Sequence, residues 1–168
     1  DNFFCALARC HTWRRLGVGR IWLFSRAASP RVGSELAKTW FSLFEAEDME
    51  SIAAMFADEV EYQGAFYGME LMSTKEEVLA YMGGWHAAMD SITYTPENFL
   101  AGVDPETNLP NGSVRTYGTW RGTSVASGKS FAAKLYHFMT FDDNGLIING
   151  GDYGDAMGIM MAVAPDAE

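Results

Sequence analysis

From residue 34 onward the apolar positions fall first at helical and then at strand spacing, and the period changes near residue 91. Leu36, Trp40, Leu43 and Phe44 recur at steps of four, three and one, the stripe of a helix that Ser34 can cap and that runs to about Glu47. Asp48 is placed to cap a second, short helix, in which Ile52, Met55 and Phe56 repeat the pattern before Ala57 and Asp58 end it. Val60 to Tyr67 is rich in aromatic and β-branched residues and reads as a strand interrupted at Gly64. A capping box, either Thr74 with Glu77 or Ser73 with Glu76, opens a helix to about Met89 with Val78, Met82, Trp85 and Met89 inward. Gly83 and Gly84 weaken the middle of that helix.

From Ser91 the pattern alternates with period two, which predicts four strands over about 91–103, 113–125, 129–141 and 146–153. Asp104 to Gly112, with two prolines and two asparagines, reads as a loop, and Ser127-Gly128 and Asn144-Gly145 read as hairpin turns. Two or three helices followed by a long antiparallel meander make an α+β domain with the helices on one face of the sheet.

The turns give a register. A two-residue turn at Asn144-Gly145 pairs Phe141 with Ile148, Met139 with Gly150 and His137 with Asp152. A four-residue loop keeps His137 and Asp152 on one face, whereas a three-residue loop separates them. Directly opposed residues have Cβ atoms roughly 4.5 to 5.5 Å apart, within reach of an imidazole–carboxylate hydrogen bond. The same count at Ser127-Gly128 pairs Gly118 with His137 and Trp120 with Leu135. The face containing His137 reads Phe131, Ala133, Leu135, His137, Met139, Phe141, apolar apart from the imidazole, so the helices should cover it. With Gly118 beside His137 and Gly150 diagonal to it, unfilled volume and hence a pocket are expected there.

Composition adds an asymmetry. Of the 168 residues, 48% are hydrophobic and 14% aromatic, enough for a packed core. Six of the eight arginines lie in residues 1–33 beside a single acid, Asp1; residues 34–168 keep 21 acids against 6 bases, a balance of −15. Such a surface repels phosphate backbones and anionic lipid, which argues against nucleic acid or membrane as the principal partner. The Arg-rich segment 1–33 reads as a separate object, a transit-peptide-like extension or an artefact or fragment of the gene product, ahead of the domain at 34–168. Both cysteines, Cys5 and Cys10, fall in it, so the domain needs no disulfide and cysteine usage does not fix the compartment. Ile21 to Phe24 is too short to cross a bilayer.

Two stretches resemble the SnoaL-like branch of the nuclear-transport-factor-2-like superfamily. The run from Trp40 to Ile52, then Met55 to Val60, is similar to its opening helices and first strand. Phe141-Asp142-Asp143-Asn144-Gly145-Leu146-Ile147 followed by Asp152-Tyr153-Gly154-Asp155 is similar to its closing hairpin, and Gly118 to Thr123 fits a middle strand. The resemblance covers about 34–156 and implies a cone-shaped, cystatin-like fold, and a homodimer through the outer sheet face. Where the ketosteroid isomerase branch has a tyrosine donor on its first helix this chain has Trp40, and where that branch has its aspartate base it has Gln63 or Gly64. The late-strand acid of the polyketide-cyclase branch is better matched, by Asp152.

His137 and Asp152 are therefore the candidate catalytic pair, Asp152 fixing the tautomer and His137 moving a proton on a small, mostly apolar carbonyl or hydroxyl compound. The competing reading is a structural dyad in a non-catalytic ligand-binding or dimerisation domain. Trp40, Tyr62, Tyr67, Trp85, Gly118, Trp120, Leu135 and Met139 are the expected ligand-binding residues, with Tyr62 and Tyr67 at the mouth. His86 is expected at the surface, Asp155 in a loop or cap, and Met157, Met160 and Met161 as a plug or a dimer contact. Three scattered histidines make a zinc site improbable, Asp142 to Gly145 lacks the ligand alternation of a calcium loop, and no Gly-rich phosphate loop is present. Neither metal nor organic cofactor is expected.

Overall fold

The computed structural model describes residues 30–166, so all but the last four residues of the Arg-rich segment 1–33, and with them its reading as a separate extension, lie outside the described residues. Helix α1 (Pro30–Glu45) starts four residues before the expected Ser34. Proline suits a first turn, where its missing N–H bonds nothing anyway. The buried stripe of α1 is Ala37, Trp40, Phe41 and Phe44, with Leu36 and Leu43 at its margins. Helix α2 (Met49–Ala54) is capped by Asp48, whose Oδ1 accepts from the Ser51 N–H at 3.0 Å. It stops earlier than expected: Phe56 does not continue the helix but opens strand β1 (Phe56–Gln63), which ends just before Gly64.

A short strand β2 (Met72–Thr74), which the apolar pattern does not reveal, leads into α3 (Lys75–Ala88). Of the two possible capping boxes, the Thr74–Glu77 one forms. Strands β3 (Met89–Val103), β4 (Pro110–Ser124), β5 (Ser130–Phe141) and β6 (Ile147–Tyr153) follow within a few residues of expectation. A last helix, α4 (Ala156–Ala162), is capped by Asp155, which accepts from the Gly158 N–H at 2.7 Å. The sheet order is β2-β1-β6-β5-β4-β3. All pairs are antiparallel except β1 with β6, a parallel pair that a pure meander does not anticipate. The helices lie on the face carrying Leu135, His137, Met139 and Phe141, and the core is there. Among the described residues no helix is long and apolar enough to cross a membrane.

The two hairpins depart from the simple counts in instructive ways. At the last one the Asp142 N–H donates to Leu146 O at 2.8 Å and the Gly145 N–H to Asp142 O at 3.0 Å, with Gly145 at φ 83°. This turn is one residue out of step, so Phe141 faces Ile147, not Ile148. A bulge on β6 at Ile148 then restores the count, giving Thr140 opposite Asn149, Met139 opposite Gly150 and His137 opposite Asp152. At the β4–β5 connection the Ser124 N–H donates to Lys129 O, and the register lands two residues from the expected one. His137 faces Thr116, Gly118 faces Leu135 and Trp120 faces Ala133. A shift of two preserves the face, so the inward set is unchanged.

Candidate functional site

Four elements deliver side chains to Asp152 and its neighbour. His137 on β5 sits opposite Asp152 on β6, and its Nδ1 is 2.7 Å from Asp152 Oδ1. Tyr62 on β1 lies beside Gly150 of β6 and reaches along the sheet to donate its hydroxyl to the same Oδ1 at 2.8 Å. Tyr81 on α3 donates to Oδ2 at 3.2 Å. On the far side of the imidazole, Trp120 Nε1 donates to His137 Nε2 at 2.8 Å.

The protonation pattern follows from the donors. An indole nitrogen only donates, so His137 Nε2 must present a lone pair and the ring proton sits on Nδ1, aimed at Asp152. His137 is thus the neutral Nδ1–H tautomer, 3% exposed, with both nitrogens engaged by protein. Three donors converge on Asp152, 8% exposed, the pattern of an ionised carboxylate. Burial, reinforced by the charge of Asp152, holds the Tyr62 and Tyr81 phenols well above their usual range, so both are neutral donors.

Glycines make this approach possible. A Cβ on Gly150 would lie 2.9 Å from the Tyr62 ring, one on Gly118 2.3 Å from the Tyr94 ring, and one on Gly64 3.1 Å from the Tyr81 ring. The positions expected to leave volume empty are therefore filled by aromatic rings. Tyr94 uses its berth to hydrogen-bond Thr116 Oγ1 at 2.9 Å, and that hydroxyl in turn donates to Asn98 O.

A pocket nevertheless opens beside this cluster, with about 530 Å³ of space including the open solvent at its mouth. Trp40, Tyr62, Trp85, Trp120 and Leu135 line it together with His137 and Asp152. Three expected ligand-binding residues do not. Tyr67 follows the end of β1 and is 100% exposed, Gly118 is covered by Tyr94, and Met139 is packed in the core. Residues that the sequence reading missed complete the wall: Phe44, Tyr81, Met82, Ile92, Phe131 and Ile159. Tyr81 was within reach of the pattern, because it stands three residues after the inward Val78.

His86 is half-buried rather than a surface residue; its Nε2 donates to Phe44 O at 3.0 Å, satisfying a carbonyl near the end of α1. Trp40 Nε1 is buried with no hydrogen-bond partner among the described residues. Ile159 of α4 reaches the pocket, whereas Met157, Met160 and Met161 point outward. Among the described residues no group of three His, Cys, Asp or Glu side chains is arranged to hold a metal ion.

Solved structures share this architecture. An NTF2-like protein of unknown function from Burkholderia pseudomallei is 19% identical with a TM-score of 0.65, over 81% of this chain and 98% of its own. An epoxide hydrolase/cyclase-like enzyme of pyran ring formation in the polyether salinomycin is 15% identical with a TM-score of 0.66, over 77% of this chain and 95% of its own. A candidate polyketide cyclase from Pseudomonas putida is 16% identical with a TM-score of 0.62, over 79% of this chain and 98% of its own. At such identities these likenesses speak for the fold. No curated protein sequence matches the chain. The family model described as SnoaL-like domain matches residues 37–149, from the buried stripe of α1 into the strand that carries Asp152, and the chain belongs to that family.

Proposed function

We propose that this domain binds a small, mostly apolar carbonyl or hydroxyl compound in its pocket and exchanges a proton with it at Asp152, as a cofactor-independent lyase, isomerase or cyclase. The observation that carries this reading is the unequal treatment of the two carboxylate oxygens. Oδ1 is saturated by Tyr62 and His137 at 2.8 and 2.7 Å, while Oδ2 has only the longer 3.2 Å contact with Tyr81. Oδ2 thus keeps a lone pair for a ligand proton at the wall of a largely apolar cavity. The neutral Tyr81 hydroxyl beside it is suited to donate to an oxygen on which negative charge develops. Asp152 takes the proton from carbon or hydroxyl and returns it to another position or to the leaving group, so the enzyme ends unchanged.

The proton moves at Asp152 here, and His137 backs the carboxylate, the reverse of the roles expected from the sequence. Two structural neighbours, a cyclase-like enzyme and a candidate polyketide cyclase, bear names compatible with chemistry of this kind.

Incubating the protein with a panel of small ketones and alcohols in D2O and following carbon-bound hydrogen by NMR tests the reading. At least one compound that binds should exchange hydrogen for deuterium. Asp152→Asn should slow that exchange by about 10² or more in protein that is still folded at the assay temperature, as checked by its circular dichroism. If compounds bind but none exchanges above the buffer rate, the domain is a non-catalytic binding module.

A further inference from the structure

The contact between Trp120 and His137 decides which group in the pocket can take up a proton. The Asp152 carboxylate stands opposite His137 on β6 and by itself favours a positively charged imidazolium. Among the described residues no other charge faces the ring. Tyr94 of β3 meets it edge-on at 5.7 Å, Phe41 of α1 at 5.3 Å, and Tyr62 of β1 and Tyr81 of α3 approach only through Asp152, all of them uncharged. Thr116, across on β4, is a hydroxyl engaged with Tyr94 and Asn98 O. Charge alone would therefore turn His137 and Asp152 into an ion pair and blunt the carboxylate as a base.

What opposes this is the indole. A proton on Nε2 would face the Trp120 N–H across 2.8 Å, two donors with no acceptor between them, on side chains that are both buried. Nor is the indole placed to swing aside, since Phe41, Phe44 and Tyr94 pack around it with ring centroids 5.7, 5.3 and 4.7 Å away.

We propose that Trp120 is a positioning residue that denies His137 a proton at Nε2, so that the imidazole stays a neutral donor and Asp152 is the group in the pocket that accepts a proton. Its value for turnover rests on the function proposed above; the protonation state itself does not.

The test is imidazole nitrogen NMR on protein carrying ¹⁵N-labelled histidine, at neutral and at mildly acidic pH. In the wild type the His137 Nδ1 signal should be of the protonated type and the Nε2 signal of the unprotonated type at both. In Trp120→Phe, which keeps an aromatic ring, Nε2 should become protonated at mildly acidic pH, and deuterium exchange of the panel compound that exchanges with wild type should fall at least 10-fold. A wild-type spectrum with Nε2 protonated, or a Trp120→Phe spectrum identical to wild type, overturns the proposal. Should Trp120→Phe not fold, the wild-type spectrum decides by itself, with the Trp120 indole proton expected at a hydrogen-bonded shift that His137→Phe abolishes. These signals need no ligand, so their failure is distinct from a failure to find exchange.

Discussion

At the scale of single residues the site is built from phenols that must stay neutral. Tyr62, Tyr81 and Tyr94 each lie against a glycine and each bring a hydroxyl to a buried acceptor. Burial is the first cause that raises all three. A phenol ionises near 10.0 in the unfolded chain, and Tyr94 is pushed up to about 12 in the folded one. The sign of the effect on stability follows directly. Below pH 10 both states keep the proton and the contribution is intact; above it the unfolded chain releases protons that the folded protein holds, so stability falls as pH rises toward 12. Denaturant midpoints recorded from about pH 9 upward should therefore drop steeply, and of the seven tyrosines these three should ionise only as the protein unfolds. Tyrosinate absorbance reaching its full value while the fold persists would contradict the assignment.

At the scale of elements, glycines of two kinds should respond with opposite sign. On β6 an added Cβ at Gly150 would press on the Tyr62 ring at 2.9 Å and on Phe138 O at 3.2 Å, backbone that cannot yield. Gly150→Ala should cost about 1–3 kcal/mol by overpacking. On α3 a Cβ at Gly83 meets nothing within 4 Å, so Gly83→Ala should stabilise by about 0.5–1 kcal/mol through the unfolded chain. Equilibrium urea unfolding of both variants checks the pair.

Element identity was legible where one force dominates: the Thr74–Glu77 box, the alternation along β5 and the cap at Asp48 all act locally. The pairing of His137 with Asp152 was legible for a subtler reason. A turn one residue out of step and a bulge at Ile148 cancel, so the simple count reached the right partner through a wrong pair at Phe141. Other features were hidden because they depend on where chains meet. Trp120 reaches His137 although its own register partner is Ala133, and Tyr62 reaches Asp152 from β1, a strand that a simple meander does not place beside β6. Tyr67 failed as a ligand residue because β1 stops at Gln63 and leaves it in solvent.

At the scale of the whole molecule the outer face of the sheet is a surface whose chemistry contradicts its exposure. Tyr117, Tyr136 and Tyr153 stand directly opposite one another across β4, β5 and β6, with Phe138 stacked on Tyr136 at 6.4 Å. Tyr117 and Tyr153 are exposed, an aromatic ladder that water covers poorly. Electrostatics at first speaks against two copies meeting there, because residues 34–168 carry −15. Yet three of their six bases, Arg115, Arg121 and Lys134, occupy outward positions on β4 and β5 beside the ladder, Lys134 paired with Glu97, which offsets part of that repulsion locally. The homodimer implied by the family resemblance is accordingly expected through this face. Light scattering on purified protein should give twice the mass of one chain, and raising salt from about 0.02 to about 0.15 M should tighten association as the residual repulsion is screened. Tyr136→Lys, at the centre of the ladder, should yield a folded monomer that keeps its pocket, because Tyr136 points away from His137 on the same strand. A dimer unmoved by that change would place the contact elsewhere on the molecule.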